Sequence, residues 1–107
     1  MPATSLFRVT LRMDVVPGAE QQFEEAWLAG AERIADEPGN VGQWLSQGER
    51  DNAFYVVSDW VSREAFLAYE RSPQHLEHRR SLDPLRTAGE MTTMRTLHRL
   101  DGKGGNG

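Results

Sequence analysis

AFYVVSDWVSREAFLAYE, residues 53–70, changes its period once, at Val61-Ser62, and that change decides the fold. Up to Trp60 the residues are mostly β-branched or aromatic, which suits a pleated strand. Ser62 is an N-cap residue type, and beyond it Phe66 and Tyr69 fall three apart on one helix face. A strand over Ala53–Trp60 therefore hands over directly to a helix over Arg63–Glu70. Upstream, the polar turn Gly48–Asn52 joins this strand to another over about Val41–Gln47, making a hairpin. Further upstream, Phe7, Val9, Leu11, Met13 and Val15 alternate with Arg8, Thr10, Arg12 and Asp14. That is a period-two strand with one buried face, ended by the turn Pro17-Gly18. From Ala19 to about Glu37, Phe23, Trp27, Gly30/Ala31 and Ile34 recur at helical spacing, and Pro38-Gly39-Asn40 stops the helix.

Downstream, Ser72-Pro73 starts a further helical turn through Gln74–Ser81, because proline is favoured at the first helical position. Pro84 and Gly89 bracket a loop. Met91–Leu100 reads as the last strand, with Thr92, Met94, Thr96, His98 and Leu100 on one side. The order β-α-β-β-α-β is the ferredoxin-like split βαβ of the α+β class, an antiparallel sheet with helices on one face. One domain over residues 1–100 is expected, with a disordered tail over 101–107 that holds no apolar residue. The helices cover one sheet face only. A symmetric homodimer that closes two sheets into a dimeric α+β barrel is the simplest cover for the other.

Composition narrows the chemistry. The 107 residues include no cysteine, which excludes disulfides, thiolate metal sites and a cysteine nucleophile. No apolar run approaches the ~18 residues of a membrane span. MPATSLFRVT has no basic region ahead of an apolar one, so no secretory leader and a cytoplasmic location are expected. The net charge of −4 disfavours a nucleic-acid groove. Of twelve basic residues eleven are arginine, and Lys103 is the single lysine, which nearly excludes Schiff-base chemistry. Phosphate-binding and dinucleotide-binding glycine motifs are absent.

His75 and His78, three apart on a helix, are the densest titratable cluster. Two imidazoles without an acidic third ligand do not make a tight metal site. They suit a general base near neutral pH, or a helix surface paired with Glu70 or Glu77. His98 stands apart, with a structural or interface role preferred. Trp60, Trp27 and Trp44 each offer a ring and an N–H to a flat ligand, or ordinary core packing. Arg8 and Arg12 steer an anion or bridge to acids at a dimer interface, the second being preferred. Arg79 and Arg80 hold a phenolate or carboxylate, or form a solvated helix end.

VVPGAEQQFEEAW, PGNVGQWL, YVVSDWVSREAFLAYERSPQHLEHR and MTTM together resemble the antibiotic biosynthesis monooxygenase family. Within it, the likeness is to the small anthrone oxygenases of aromatic polyketide pathways, and it spans about Phe7–Leu100. The resemblance implies a dimeric α+β barrel with a pocket between sheet and helices. It implies oxidation of a polycyclic phenol or anthrone to a quinone by O2, with no cofactor and no metal. His75, His78 and Trp60 become the candidate catalytic residues. Arg80, Tyr69, Trp27, Trp44 and Phe66 become the candidate substrate-binding residues. Val56 and Phe66 stand where a better-known quinone-forming member has asparagine and tyrosine. Haem-degrading members share the fold, but strand one here has no asparagine, Tyr69 lies near their tryptophan position, and only His78 is in place. A polyketide cyclase and a non-catalytic dimer that binds an aromatic ligand are the competing readings.

Overall fold

The computed structural model describes residues 6–106. Strand β1 (Phe7–Val15) leads to helix α1 (Glu20–Ile34), then strands β2 (Asn40–Gln47) and β3 (Ala53–Trp60). Helices α2 (Arg63–Glu70) and α3 (Pro73–Leu82), a 3-10 turn at Asp83–Leu85 and strand β4 (Arg86–Arg95) follow. The sheet is antiparallel in the order β2-β3-β1-β4. This is the ferredoxin-like α+β fold that the period changes predict, with the second helical stretch split in two at Arg71-Ser72.

Each boundary has a local cause. Gly18 and Gly39 take positive φ, 91° and 92°, and turn the chain before α1 and before β2. The Ser62 hydroxyl accepts the Ala65 N–H at 3.1 Å and opens α2. The register between β2 and β3 shifts between Asn40 and Gly42, so Val41 is a bulge residue and remains exposed.

Two expectations need correction. Helix α1 stops at Ile34, short of Glu37. The last strand runs over Arg86–Arg95, not Met91–Leu100. The cause is β1, which pairs with it from Phe7↔Arg95 to Val15↔Arg86. Gly89, read as loop, is in the ladder opposite Met13. Beyond Arg95 the partner strand is finished, and only the Thr96 N–H continues, to the Leu6 carbonyl at 2.8 Å. His98 and Leu100 therefore lie outside any strand and are exposed. In the tail, Lys103–Asn106 form a 3-10 turn. Met1–Ser5 and Gly107, parts of the expected domain and tail, lie outside the described residues.

The inner sheet face carries Val9, Leu11 and Met13 of β1 beside Phe54, Val56, Ser58 and Trp60 of β3. One core cluster joins Met13, Phe54 and Leu82 to Phe23, Trp27 and Ala31 of α1. A second joins Val9, Ile34 and Trp60 to Phe66 and Tyr69 of α2. Burying each large side chain of this kind contributes roughly 1.5–3 kcal/mol.

The outer face is of a different kind. Arg8 and Asp59 lie directly opposite on β1 and β3. Their ion pair is two-pronged, Nε to Oδ1 at 2.8 Å and Nη2 to Oδ2 at 2.9 Å, with Asp59 only 4% exposed. The Arg8 guanidinium also lies 5.4 Å from the Trp44 ring centre. Arg12 pairs with Asp14 at 3.2 Å and reaches Asp51 at 3.8 Å. Both arginines thus meet acids of their own chain.

Candidate active site

Ser72 is the bracket of the site. Its hydroxyl donates to the Tyr69 carbonyl at 2.6 Å and accepts the His75 N–H at 3.2 Å. It ends α2 and starts α3 within three residues, and so fixes the two side chains on either side of it. The Tyr69 ring stacks on Trp60, with centroids 5.2 Å apart and planes at 23°. The His75 ring meets Tyr69 edge-on at 5.0 Å and 77°. Trp60 is held in turn by its indole N–H, which donates to the Ser58 hydroxyl at 3.1 Å, and by the Phe66 ring at 5.8 Å.

These rings form one side of a cavity of about 530 Å³ between the sheet and the helices. That volume is in the range of small-molecule sites. Its floor is apolar, from Val9, Leu11, Met13 and Val56 of the sheet. Trp27, Ile34, Phe66 and Leu82 add apolar wall from the helices. The polar groups gather along α3 and the start of β4: His75, His78, Arg79, Asp83 and Arg86, with Glu70 of α2. Among the described residues, no three His, Cys, Asp or Glu side chains come together as a metal site.

Burial sets the protonation states. It pushes the His75 imidazole below its ordinary value; Glu70 draws it back up, while Arg79 and Arg86 push it further down. Burial also lowers His78, with the Trp27 backbone pulling the other way and His75 and Arg33 lowering it further. Both histidines are therefore neutral bases at pH 7. The Tyr69 phenol is driven far up, first by burial and then by Glu37, so it remains an uncharged hydroxyl.

His78 occupies a slot made by what Gly30 lacks. The imidazole lies so close to Gly30 of α1 that a Cβ there would overlap its ring. Nε2 of His78 is buried without a hydrogen-bond partner among the described residues. Gly30→Ala should lower stability by about 1–3 kcal/mol through overpacking. Alanine's better helix propensity, worth at most about 1 kcal/mol, works against that loss. Thermal unfolding checks it: an unchanged midpoint would mean that α3 moves aside freely.

The structure gathers His75, His78, Trp60, Tyr69, Phe66 and Trp27 about one cavity. It leaves two candidates outside. Trp44 is on the outer face, opposite Val57 and 44% exposed, so it cannot line a pocket on the inner face. Arg80 is exposed on α3 and turned away, whereas its neighbour Arg79 borders the cavity. Trp60 is 1% exposed with Tyr69 across it, which makes it a packed wall and not an open stacking platform. Sequence reasoning missed Gln43, whose amide donates to the Ala31 carbonyl at 2.7 Å and faces the cavity from β2. It also missed Arg86, which the acid three residues earlier, Asp83, could have signalled.

Residues 6–81 match the antibiotic biosynthesis monooxygenase family. The chain belongs to this family. The antibiotic biosynthesis monooxygenase domain is 36% identical over 84 residues to a 42.8 kDa protein in the whiE locus of Streptomyces coelicolor, covering 78% of this chain. It is 33% identical over 81 residues to protein SchA of Streptomyces halstedii, covering 75% of this chain. The chain spans about a fifth of the length of these two curated relatives (20% and 21%). A mycobilin-producing haem oxygenase of Mycobacterium tuberculosis is 27% identical over 96 residues, covering 86% of this chain and 90% of that protein. Among solved structures, SnoaB of Streptomyces nogalater, a cofactor-independent oxygenase, is 27% identical with a TM-score of 0.79. That likeness covers 94% of this chain and all of the other (100%).

Haem does not fit the residues of this domain. His78, the histidine that the resemblance puts in place for a haem-degrading member, has its Cδ2–Nε2 edge packed against Gly30 of α1, which leaves that nitrogen without free approach from the cavity.

Proposed function

We propose that this protein is a cofactor-independent oxygenase that converts a flat polycyclic phenol or anthrone into a quinone with O2. The observation that carries the reading is a neutral, half-buried His75 at the rim of an apolar cavity walled by Trp27, Trp60, Phe66 and Tyr69. The described likeness of SnoaB supports the absence of a cofactor.

The chemistry divides between substrate and protein. His75 takes a proton from the acidic ring carbon or hydroxyl, and an extended enolate remains. That electron-rich anion reduces O2 itself, so the substrate does what a cofactor ordinarily does. One oxygen atom stays on carbon as the new carbonyl. The other leaves as water with the two hydrogens of the former methylene. The apolar floor keeps the ring system flat and dry, which strengthens each charge interaction made at the polar rim.

A homodimer is part of the same proposal. Trp44, Tyr55 and Met94 are exposed large side chains on the outer sheet face, and a second sheet would cover them. Sedimentation of the purified chain should give twice the monomer mass, and a monomer at micromolar concentration would refute it.

The deciding assay is O2 uptake by metal-free and flavin-free protein supplied with dithranol, a simple anthrone. Uptake should exceed autoxidation in proportion to enzyme and yield quinone absorbance. Binding without uptake would move the reading to a cyclase or a ligand-binding dimer.

A further inference from the structure

Arg86 stands at the first position of β4, and its side chain is only 17% exposed. It lines the cavity. Asp83 holds it from one side: Nε at 3.1 Å and Nη2 at 2.7 Å both donate to the same oxygen, Oδ1. A guanidinium has five N–H donors in a planar fork. With the Nε side occupied, the end formed by Nη1 and the second N–H of Nη2 remains. Nη1 has no acceptor among the described residues, and it lies where a Cβ on Gly89 would come within 3.2 Å of it. Gly89 is on the inner face of β4, opposite Met13, and lines the cavity too. The missing side chain is what leaves that end of the fork room.

Two parallel N–H groups at the end of a fixed guanidinium match the two oxygens of a carboxylate. A phenolate, with one oxygen, uses only one of them. Asp83 does not cancel the preference, since it sits on the other edge and is half exposed (51%). Arg79 adds a second positive charge on the same rim, and the field of both arginines is felt at His75. Glu70 is the opposing charge, on the α2 side of His75.

We propose that Arg86, braced by Asp83 and given room by Gly89, is a carboxylate-recognition residue, so that the ligand of this cavity is a flat polycycle bearing a carboxylic acid. This rests on the reading of the cavity as a site for flat polycycles. The carboxylate docks at the β4 end of the rim and fixes which edge of the ring system meets His75.

Equilibrium dialysis with two non-reacting probes tests it: anthraquinone-2-carboxylate and the neutral 2-(hydroxymethyl)anthraquinone. The wild-type chain should bind the carboxylate about tenfold tighter or more, the worth of one charge-assisted pair. Arg86→Gln should remove that preference and leave the neutral probe's affinity unchanged. Gly89→Ala, which leaves the Arg86–Asp83 pair in place, should weaken only the carboxylate. Equal affinities in the wild type, or a preference that survives both replacements, would overturn the proposal and leave the polycycle reading standing. If neither probe binds, the polycycle reading fails and this one falls with it.

Discussion

His75→Gln should lower turnover of an anthrone by about 100-fold or more, the usual worth of a positioned base. It should also change the shape of the pH profile. The imidazole must be neutral to accept a proton, and burial, opposed by Glu70 and aided by Arg79 and Arg86, holds it below its ordinary value. Wild-type turnover should therefore be flat above about pH 6.5 and fall on the acid side below it. Glutamine cannot titrate, so that acid limb should vanish with the rate. His78→Gln separates the two histidines, because its imidazole packs on Gly30 and has no free approach to a ligand. A limb that survives in the His75 variant and disappears in the His78 variant would assign the base to His78.

The second large effect falls on stability. Trp60→Ala should destabilise the domain by about 3–5 kcal/mol, as expected for a deleted core aromatic. Trp60 joins strand β3 to helix α2. It stacks on Tyr69 of α2, meets Phe66 edge-on, and is tied to Ser58 of its own strand. For a domain of about this size, each kcal/mol lowers the melting midpoint by roughly 4–8 °C. A fall of at least about 12 °C by circular dichroism is expected, and one of only a few degrees would refute it. Trp60→Phe keeps a ring against Tyr69 and should cost much less.

The residues whose structure is set by near neighbours were legible in the chain itself. The alternation of Phe7–Val15, the caps Ser62 and Ser72 and the glycine turns all act over a few residues. What was not legible depends on distant partners. The extent of β4 is decided by β1, some 80 residues earlier, and nothing local marks Gly89 as a ladder residue. The face taken by Trp44 could not be read because Leu45 beside it is apolar too, and the bulge at Val41 breaks the count from the preceding turn. For the site, the His75–Tyr69 pairing follows from the Ser72 bracket, a local motif. The slot for His78 depends on Gly30 of another helix. The inward aim of Arg86 depends on the 3-10 turn before it and on the register shift at Asp14/Val15.

Apart from His78 seated on Gly30, helix α3 walls the cavity with little apolar grip on the protein beneath it. Leu82, at its last position, is its one buried residue, and the helix is otherwise polar or charged apart from the exposed Leu76. Helix α1, by contrast, is anchored by Phe23, Trp27, Ala31 and Ile34. Local opening is cheapest where least apolar surface must be wetted. The cavity wall is therefore expected to open first along α3, about Leu82, while the sheet and its aromatic wall stay closed, and amide hydrogen exchange should show α3 losing protection before α1.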